Sequence, residues 1–310
     1  MCTSIMIKDQ KSYFLRNMDL DFSFNEHIII VPRNYKISFK KEKTIDKHYA
    51  FMAIGCIVDN YPLIADGCNE NGLCIAALNF KDNATYYKEK ENCINITPYE
   101  FMLYILSTCS TICEVKDKLK SINIINIAFK TNIPTSQLHF MISDKDNSIV
   151  VETLKDKMYV YDNPYNVLTN NPPFYYHKEN IKNYLNLSIE DPTNKLIKDI
   201  DINPYSYNLG LIGLPGDYSS CSRFIKALII KNNIILKENI INSLFYILNS
   251  VFMIEGLVKT SNGYEFTRYS CIIDMEKGIY YYKTYDTNEI KYIAIHDYDL
   301  NLNKLFYKKI

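Results

Sequence analysis

The sequence predicts an α+β fold in which runs of strands alternate with runs of helices. Strand patterns dominate the first eighty residues, two capping boxes then open helices, and three strands separated by short turns close the pattern. Such an order favours packed layers over a βαβ array. No low-complexity linker or internal repeat interrupts the 310 residues, so we expect a single catalytic domain spanning residues 1–310.

The first predicted element is a hairpin. Residues 3–7 alternate around Ile5 and Ile7, residues 9–11 form a polar turn, and residues 12–16 are predicted as a second strand. Such a hairpin would bring Arg16 and Asp19 back towards Cys2. Further strands are predicted over residues 27–32, 49–59 and 61–79, the last interrupted by a polar turn at residues 66–72.

Helices are predicted after two capping boxes, Thr97-Pro98-Tyr99-Glu100 and Thr111-Ile112-Cys113-Glu114. They would extend to about residues 109 and 120. The pattern beyond them predicts strands at 137–143, 148–153, 158–161 and 166–169, helices at 175–186, 222–231 and 240–251, and a closing meander at 265–273, 279–285 and 289–295. Residues 189–203 are rich in Lys, Asp and Asn and are expected to form a protruding loop.

Composition excludes several classes of function. The formal net charge is zero and the pI is about 6.9, which gives no electrostatic basis for binding nucleic acid or an acidic membrane. No apolar segment is long enough to cross a bilayer and no secretion signal opens the chain. The nine cysteines form an odd set without a CxxC pair or a zinc-like histidine spacing. We therefore expect free thiols, no metal or cofactor, and a cytoplasmic protein.

Cys2 is a candidate nucleophile. Removal of Met1 would give one residue both a thiol and a free α-amine, whose reference pKa of about 7.7–8.0 suits a general base near neutral pH. A nearby guanidinium from Arg16 would stabilise the thiolate, and the carboxylate of Asp19 could hold the ammonium. A small apolar residue near a frayed terminus is the alternative interpretation of Cys2.

Several motifs in order along the chain carry a family resemblance. They are Met1-Cys2-Thr3, Arg16-Asn17-Met18-Asp19, Val31-Pro32-Arg33-Asn34-Tyr35, Ala65-Asp66-Gly67-Cys68-Asn69-Glu70-Asn71-Gly72-Leu73, Ala77-Leu78-Asn79-Phe80, Leu168-Thr169-Asn170-Asn171-Pro172, and Gly213-Leu214-Pro215-Gly216-Asp217-Tyr218 with Ser222-Arg223-Phe224. On these motifs the chain resembles the choloylglycine hydrolase family, which holds bile salt hydrolases and penicillin V acylases among the N-terminal nucleophile hydrolases. It departs from the family's usual pattern at residues 206–210 and 219–221.

The resemblance implies a four-layer αββα sandwich and, because tetramers are usual in the family, a homotetramer. It also implies a role for each of six polar residues: Cys2 as nucleophile, Arg16 beside the thiol, Asp19 on the α-amine, Asn170 as the active-site asparagine, Asn79 near the tetrahedral oxygen, and Arg223 joining this cluster. For Arg16, Asp19 and Arg223 a buried ion-pair network is the structural alternative, and for the two asparagines a capped turn.

The implied reaction is hydrolysis of glycine- or taurine-conjugated bile salts through a Cys2 thioester. Asn79 favours bile salts, because several penicillin V acylases carry an aromatic residue at the matching position. The implied substrate wall is apolar, as a steroid body requires, and consists of Met18, Ala65, Phe129, Ile133 and Leu138 together with Asn79. Two alternatives stay open: penicillin V or N-acyl homoserine lactone acylase activity, and a non-catalytic protein that binds amphipathic acids.

Overall fold

A computed structural model describes all residues from Met1 to Ile310. The strands are β1 (Cys2–Lys8), β2 (Ser12–Leu20), β3 (His27–Val31), β4 (Phe51–Val58), β5 (Tyr61–Asn69), β6 (Cys74–Asn79), β7 (Ile94–Ile96), β8 (Ile122–Ile124), β9 (Leu138–Ser143), β10 (Ser148–Thr153), β11 (Met158–Asp162), β12 (Val167–Leu168), β13 (Val258–Lys259), β14 (Tyr264–Asp274), β15 (Ile279–Thr284), β16 (Thr287–Ala294) and β17 (Phe306–Lys309). The helices are α1 (Pro98–Thr108), α2 (Ile112–Leu119), α3 (Phe174–Asn180), α4 (Ser220–Asn233) and α5 (Ile240–Ser250).

Two large antiparallel sheets contain most of these strands. The first sheet has the order β12-β1-β2-β14-β15-β16, with β13 beside β14. The second has the order β11-β10-β9-β6-β5-β4-β3-β17, while β7 and β8 form a separate parallel pair. Because β2 lies between β1 and β14, the N-terminal hairpin occupies the interior of the first sheet rather than a frayed edge.

Alternate residues of the strands build two apolar cores. Along β3, Ile28 and Ile30 pack in a core shared with the first sheet, whereas Ile29 and Val31 face a second core formed with α1 and α2. On the far side of the first sheet, α5 packs against β2 and β14 and α4 packs against β1. The layers therefore run helix, sheet, sheet, helix, which confirms the predicted four-layer αββα sandwich.

The local sequence explains where the helices begin. The Glu100 side chain accepts a hydrogen bond from the backbone N–H of Thr97, which is one half of the predicted capping box, and the Thr111 side chain accepts one from the backbone N–H of Glu114. Both predicted helices are present with nearly the predicted ends. Helix α3 is shorter than predicted, because after Asn180 the chain tightens into a 3₁₀ turn over Ile181–Tyr184.

The predicted turn at residues 66–72 is largely wrong. Strand β5 continues through Asn69, and the chain reverses only over residues 70–73. The polar residues that suggested a turn are buried with partners: Asp66 meets groups of the first sheet, and Asn69 donates to the carbonyls of Leu106 and Cys109. The short strands β7, β8, β13 and β17 were not predicted. None of the helices combines the length and apolar character that a membrane crossing requires.

Candidate active site

The side chain of Cys2 lies between the two sheets. Cys2 begins β1 and pairs in register with Met18 of β2. Its Sγ is 3.5 Å from Nη2 of Arg16 and 3.6 Å from Sδ of Met18, and the residue is only 2% exposed. The hairpin thus places a guanidinium beside the candidate nucleophile, which is the electrostatic setting that stabilises a thiolate.

Arg16 is held by the second sheet. Its Nη1 donates to the carbonyl oxygen of Ala65 at 2.5 Å and its Nη2 donates to that of Ala77. Its Nε lies 3.4 Å from Oδ2 of Asp66, an ion pair without hydrogen-bond alignment. Burial opposes the charge of Arg16, but neighbouring groups, Cys2 first among them, outweigh burial and raise the pKa of the guanidinium. Arg16 therefore stays charged in the interior.

Asp66 forms the far end of this polar cluster. Its carboxylate accepts hydrogen bonds from the hydroxyls of Tyr269, at 2.5 Å, and Tyr280. Burial raises the pKa of Asp66 to about 6, although Arg16 and the hydrogen bond from Tyr269 oppose that rise. Sequence reasoning placed Asp66 in a turn and missed this cluster. The available signal was an ionisable residue directly after the apolar run of β5.

The backbone of Cys2 is fixed by two other residues. Its nitrogen donates to Oδ1 of Asn170 at 2.6 Å, and its carbonyl oxygen accepts from Nη1 of Arg223 at 2.6 Å. The same Nη1 is 2.6 Å from Oγ1 of Thr3, and Nη2 donates to Oδ1 of Asn170 at 2.8 Å. Arg223, at the start of α4, thus ties β1 to the segment after β12. Burial lowers the pKa of this guanidinium.

Asp19 lies beside Arg223 and next to the Met1 end of β1. Its Oδ1 accepts a hydrogen bond from Thr267 at 2.6 Å, while its Oδ2 is 3.9 Å from Nη1 of Arg223 and accepts no hydrogen bond. Burial raises the pKa of Asp19, and the charge of Arg223 opposes that rise. The ammonium group of Met1 donates to the Asp19 carbonyl oxygen at 2.8 Å and pairs with Glu265. Burial lowers the pKa of this ammonium.

Asn170 is held in turn by three further polar groups. Its Nδ2 donates to the carbonyl oxygen of Asn79 at 2.7 Å, and its backbone nitrogen donates to Oγ of Ser220 at 2.7 Å. The carbonyl oxygen of Asn170 lies 2.9 Å from Nε2 of His177. Ser220 belongs to residues 219–221, where the sequence departs from the family's usual pattern, so this departure directly contacts the site. Sequence reasoning did not identify Ser220 or His177.

A buried histidine-carboxylate pair supports the preceding residue. Nδ1 of His139 is 3.0 Å from Oε1 of Glu152, and its Nε2 is 2.8 Å from the carbonyl oxygen of Thr169. Glu152 also accepts from the backbone nitrogen of Phe174 at 2.9 Å. These contacts join β9, β10 and α3 beneath the end of β12. No local pattern in the sequence links residues so far apart.

A cavity of about 580 Å³ opens at Cys2. Fifteen of its 22 lining residues are hydrophobic, so the space suits a large apolar body that is anchored at a polar end. Every residue predicted for the substrate wall lines it: Met18, Ala65, Asn79, Phe129, Ile133 and Leu138. Cys2 and Arg16 line the same cavity, whereas Asp19, Asn170 and Arg223 lie behind the Cys2 backbone. The individual roles of these residues stay predictions.

Asn79 ends β6 with its side chain exposed and without a hydrogen-bond partner in the protein. Its backbone carbonyl already accepts from Asn170, which leaves the side-chain amide available to a ligand in the cavity. Asn170, in contrast, uses both its amide oxygen and its amide nitrogen within the protein. The two asparagines therefore have different chemical capacities: Asn79 can donate to a bound molecule, and Asn170 can hold the Cys2 nitrogen.

Comparisons with known proteins agree with this geometry. The family model for linear amide C–N hydrolases of the choloylglycine hydrolase family matches residues 2–308. The chain is 41% identical to a bile salt hydrolase/transferase of Lactiplantibacillus plantarum, covering 98% of this chain and 95% of the relative. It is 40% identical to a protein of the same description from Clostridium perfringens, again covering 98% and 95%.

Solved structures give the same result. A cysteine-to-alanine mutant of the conjugated bile acid hydrolase from Clostridium perfringens superposes with a TM-score of 0.93 at 39% identity, covering 100% of this chain and 97% of that one. A penicillin V acylase from Agrobacterium tumefaciens shares the fold, with a TM-score of 0.80 at 19% identity over 100% of this chain and 91% of that one. The predicted resemblance is confirmed: the chain belongs to the choloylglycine hydrolase family of linear amide C–N hydrolases.

Proposed function

We propose that this enzyme hydrolyses the amide bond of glycine- or taurine-conjugated bile salts, with Cys2 as the nucleophile after removal of Met1. The observation that carries the proposal is the apolar cavity of about 580 Å³ with a thiol and a guanidinium at one end. A conjugated bile salt has the matching form, since an apolar steroid body ends in a short chain with an amide. The relatives described as bile salt hydrolases support this substrate class.

We propose a residue for each step of the reaction. The α-amine of Cys2 accepts the thiol proton, and Sγ attacks the amide carbonyl carbon. Asn79, whose amide faces the cavity without a protein partner, can donate to the developing oxyanion. The carbon–nitrogen bond then breaks, glycine or taurine leaves with a proton from the α-ammonium, and the acyl group stays on Sγ as a thioester.

Water completes the cycle. It loses a proton to the α-amine and adds to the thioester, which releases the free bile acid and returns the thiol. The Cys2 nitrogen must stay near Sγ throughout both steps, and Asn170 holds that nitrogen at 2.6 Å. Arg223 fixes the adjoining carbonyl oxygen, and Asp19 has a carboxylate oxygen that accepts no hydrogen bond from the protein. We assign these three residues to orientation of the nucleophile and Arg16 to stabilisation of the thiolate.

The test measures release of glycine or taurine from glycocholate and taurocholate, with penicillin V in parallel, by reduced wild-type protein and by Cys2→Ser. The mass of the N-terminus is determined for each preparation. Cys113→Ser, which changes an exposed cysteine of α2, is the matched control and should keep full activity. Faster cleavage of the bile salts by processed wild type, lost in processed Cys2→Ser, supports the proposal. Preference for penicillin V would contradict the substrate, and no cleavage of any amide would contradict the function.

We further propose that the chain acts as one cytoplasmic catalytic domain that assembles into a homotetramer. Residues 185–212 support the assembly, because large apolar side chains lie exposed along this segment, among them Leu196, Tyr205 and Tyr207 at 92%, 87% and 92% exposure. Light scattering should give the mass of four chains, and Leu196→Ser with Tyr207→Ser should reduce it. A wild-type mass of one chain would contradict the tetramer, and location by cell fractionation tests the compartment.

A further inference from the structure

A carboxylate of the second sheet faces the charged residue beside the nucleophile. Asp66 lies within β5, fully buried, and its Oδ2 is 3.4 Å from Nε of Arg16. Strands of the first sheet supply its other partners, the hydroxyls of Tyr269 and Tyr280. Removing a carboxylate from water costs free energy. We therefore expect that a buried carboxylate with one cation and two phenol donors around it acts on the cation that it faces.

The contacts of Arg16 divide into two kinds. Its two terminal nitrogens donate to the neutral carbonyl oxygens of Ala65 and Ala77, which fix the plane of the guanidinium. One of these nitrogens also lies 3.5 Å from Sγ of Cys2. The opposite edge, at Nε, meets Asp66. The guanidinium therefore lies between a nucleophilic sulfur and a carboxylate. A change in charge on the carboxylate should change the pKa of the thiol on the other side.

We propose that Asp66 is a positioning residue that, together with Tyr269 and Tyr280, holds Arg16 against the Cys2 sulfur and sets how much of its positive charge the sulfur experiences. This inference uses Cys2 as the nucleophile of the proposed function. Asp66 touches neither the sulfur nor the cavity, and it acts only through Arg16.

The groups around Asp66 determine when it carries its charge. Arg16 of β2, Tyr269 and Cys271 of β14, Tyr280 of β15 and Cys74 of β6 face it. The pKa of Asp66 is about 6, and burial raises the pKa of Tyr269, Cys271 and Cys74 well above their ordinary values. At neutral pH Tyr269, Cys271 and Cys74 are therefore uncharged, and Asp66 is the carboxylate that offsets Arg16.

The experiment measures the rate at which iodoacetamide alkylates Cys2 as a function of pH, followed on the N-terminal peptide by mass spectrometry. Asp66→Asn keeps an acceptor oxygen for one of the two phenols but removes the charge, so the alkylation profile should move to lower pH by about one unit. Tyr280→Phe removes one donor and leaves more of the carboxylate charge facing Arg16, so its profile should move to higher pH by a smaller amount.

Ser270→Ala is the matched control. Ser270 is as buried as Asp66 and neighbours Tyr269 in β14, but its hydroxyl donates to Asn17 on the helix side of the sheet. Its loss should lower the melting temperature without moving the alkylation profile. A structural role for Asp66 would likewise lower the melting temperature only, so the profile separates the two explanations.

Unchanged profiles in both Asp66→Asn and Tyr280→Phe would overturn the inference, whether or not the melting temperature falls. If Asp66→Asn does not fold, the profile of Tyr280→Phe alone decides. Alkylation needs no substrate. If the wild type cleaves no bile salt while the two variants still shift the alkylation profile in opposite directions, the proposed function is contradicted and the inference stands.

Discussion

The side-chain oxygen of Asn170 lies 2.6 Å from the backbone nitrogen of Cys2, across 168 residues of sequence. This nitrogen is an amide while Met1 is attached and becomes the α-amine once Met1 is removed. The same oxygen accepts from Arg223 at 2.8 Å, so its position is fixed independently of the Cys2 nitrogen. The enzyme thus has a neutral acceptor in place for the group that serves as base in the proposed mechanism.

Replacing this acceptor by a carboxylate should shift the pH dependence of kcat to higher pH. In Asn170→Asp a negative charge beside the α-amine favours the ammonium form, which cannot accept the thiol proton. We expect kcat at neutral pH to fall by about 10- to 100-fold and to recover partly at higher pH. Rates on glycocholate across the pH range provide the measurement. Asn171→Asp, which adds the same charge where the side chain reaches only the Lys81 carbonyl at the surface, is the control and should keep the wild-type profile. An identical pH profile for both variants would argue against a base at the Cys2 nitrogen.

Activity should follow the removal of Met1. With Met1 in place the Cys2 nitrogen is a non-basic amide, and the Met1 ammonium is bound to Glu265 and to the carbonyl oxygen of Asp19. Preparations that differ in processing, obtained with and without co-expressed methionine aminopeptidase, should show kcat proportional to the fraction whose mass lacks Met1. Treating a partly processed preparation with the aminopeptidase should raise its activity. Equal activity of processed and unprocessed protein would exclude the α-amine as base.

The sequence alone could place the first part of this site but not the rest. Arg16 and Asp19 were expected near Cys2 because a hairpin has a short, definite register, and Ser4 indeed pairs with Arg16. Asn170 and Arg223 reach Cys2 only through the packing of separate elements, 168 and 221 residues away. No local pattern encodes such distances, and only the family resemblance brought these residues into the prediction.

The packing of the sheets in layers could be predicted from the local sequence, whereas the buried position of Asp66 could not. The continuous apolar run of β3 is typical of a strand buried on both faces, which requires material on both sides of its sheet. The four-layer αββα order itself came from the family resemblance. For Asp66 the surrounding Asp, Gly, Asn and Glu residues are typical of turns, and local chemistry gives no sign of Tyr269 and Tyr280 on the opposite sheet. The turn prediction failed because tertiary partners satisfied polar groups that would otherwise have needed water.

Changing Asn79 should alter the choice of substrate more than the fold. Its contact with Asn170 uses the backbone carbonyl, so Asn79→Tyr leaves that hydrogen bond intact. A phenol can still donate to an oxyanion, but its ring narrows the cavity for a steroid and offers a stacking partner to a phenoxy group. We expect the ratio of kcat/KM for penicillin V to that for glycocholate to rise by about 10-fold. Lys81→Tyr, which adds the same ring at an exposed position two residues further, should leave this ratio unchanged. A constant ratio in Asn79→Tyr would remove Asn79 from the specificity argument.

His177 should make the fold sensitive to mild acid. Its Nε2 lies 2.9 Å from the carbonyl oxygen of Asn170 and its ring stacks on Phe224. Burial lowers the pKa of His177 from 6.5 to about 4, despite the opposing hydrogen bond to Asn170. The unfolded chain therefore binds a proton at His177 below about pH 6.5, whereas the folded chain binds it only near pH 4. The free energy of unfolding falls as the pH decreases through this window, by about 2 kcal/mol at pH 5.

The variant His177→Gln tests this explanation, because an amide can donate to the Asn170 carbonyl but does not titrate. We expect it to be about 1 kcal/mol less stable than wild type at neutral pH. Between pH 6.5 and pH 5, however, its free energy of unfolding in urea should decrease less than that of wild type by about 2 kcal/mol. His296→Gln makes the same substitution at an exposed position and should retain the full wild-type decrease. If His177→Gln loses as much stability in acid as wild type does, another buried group is responsible for the acid sensitivity.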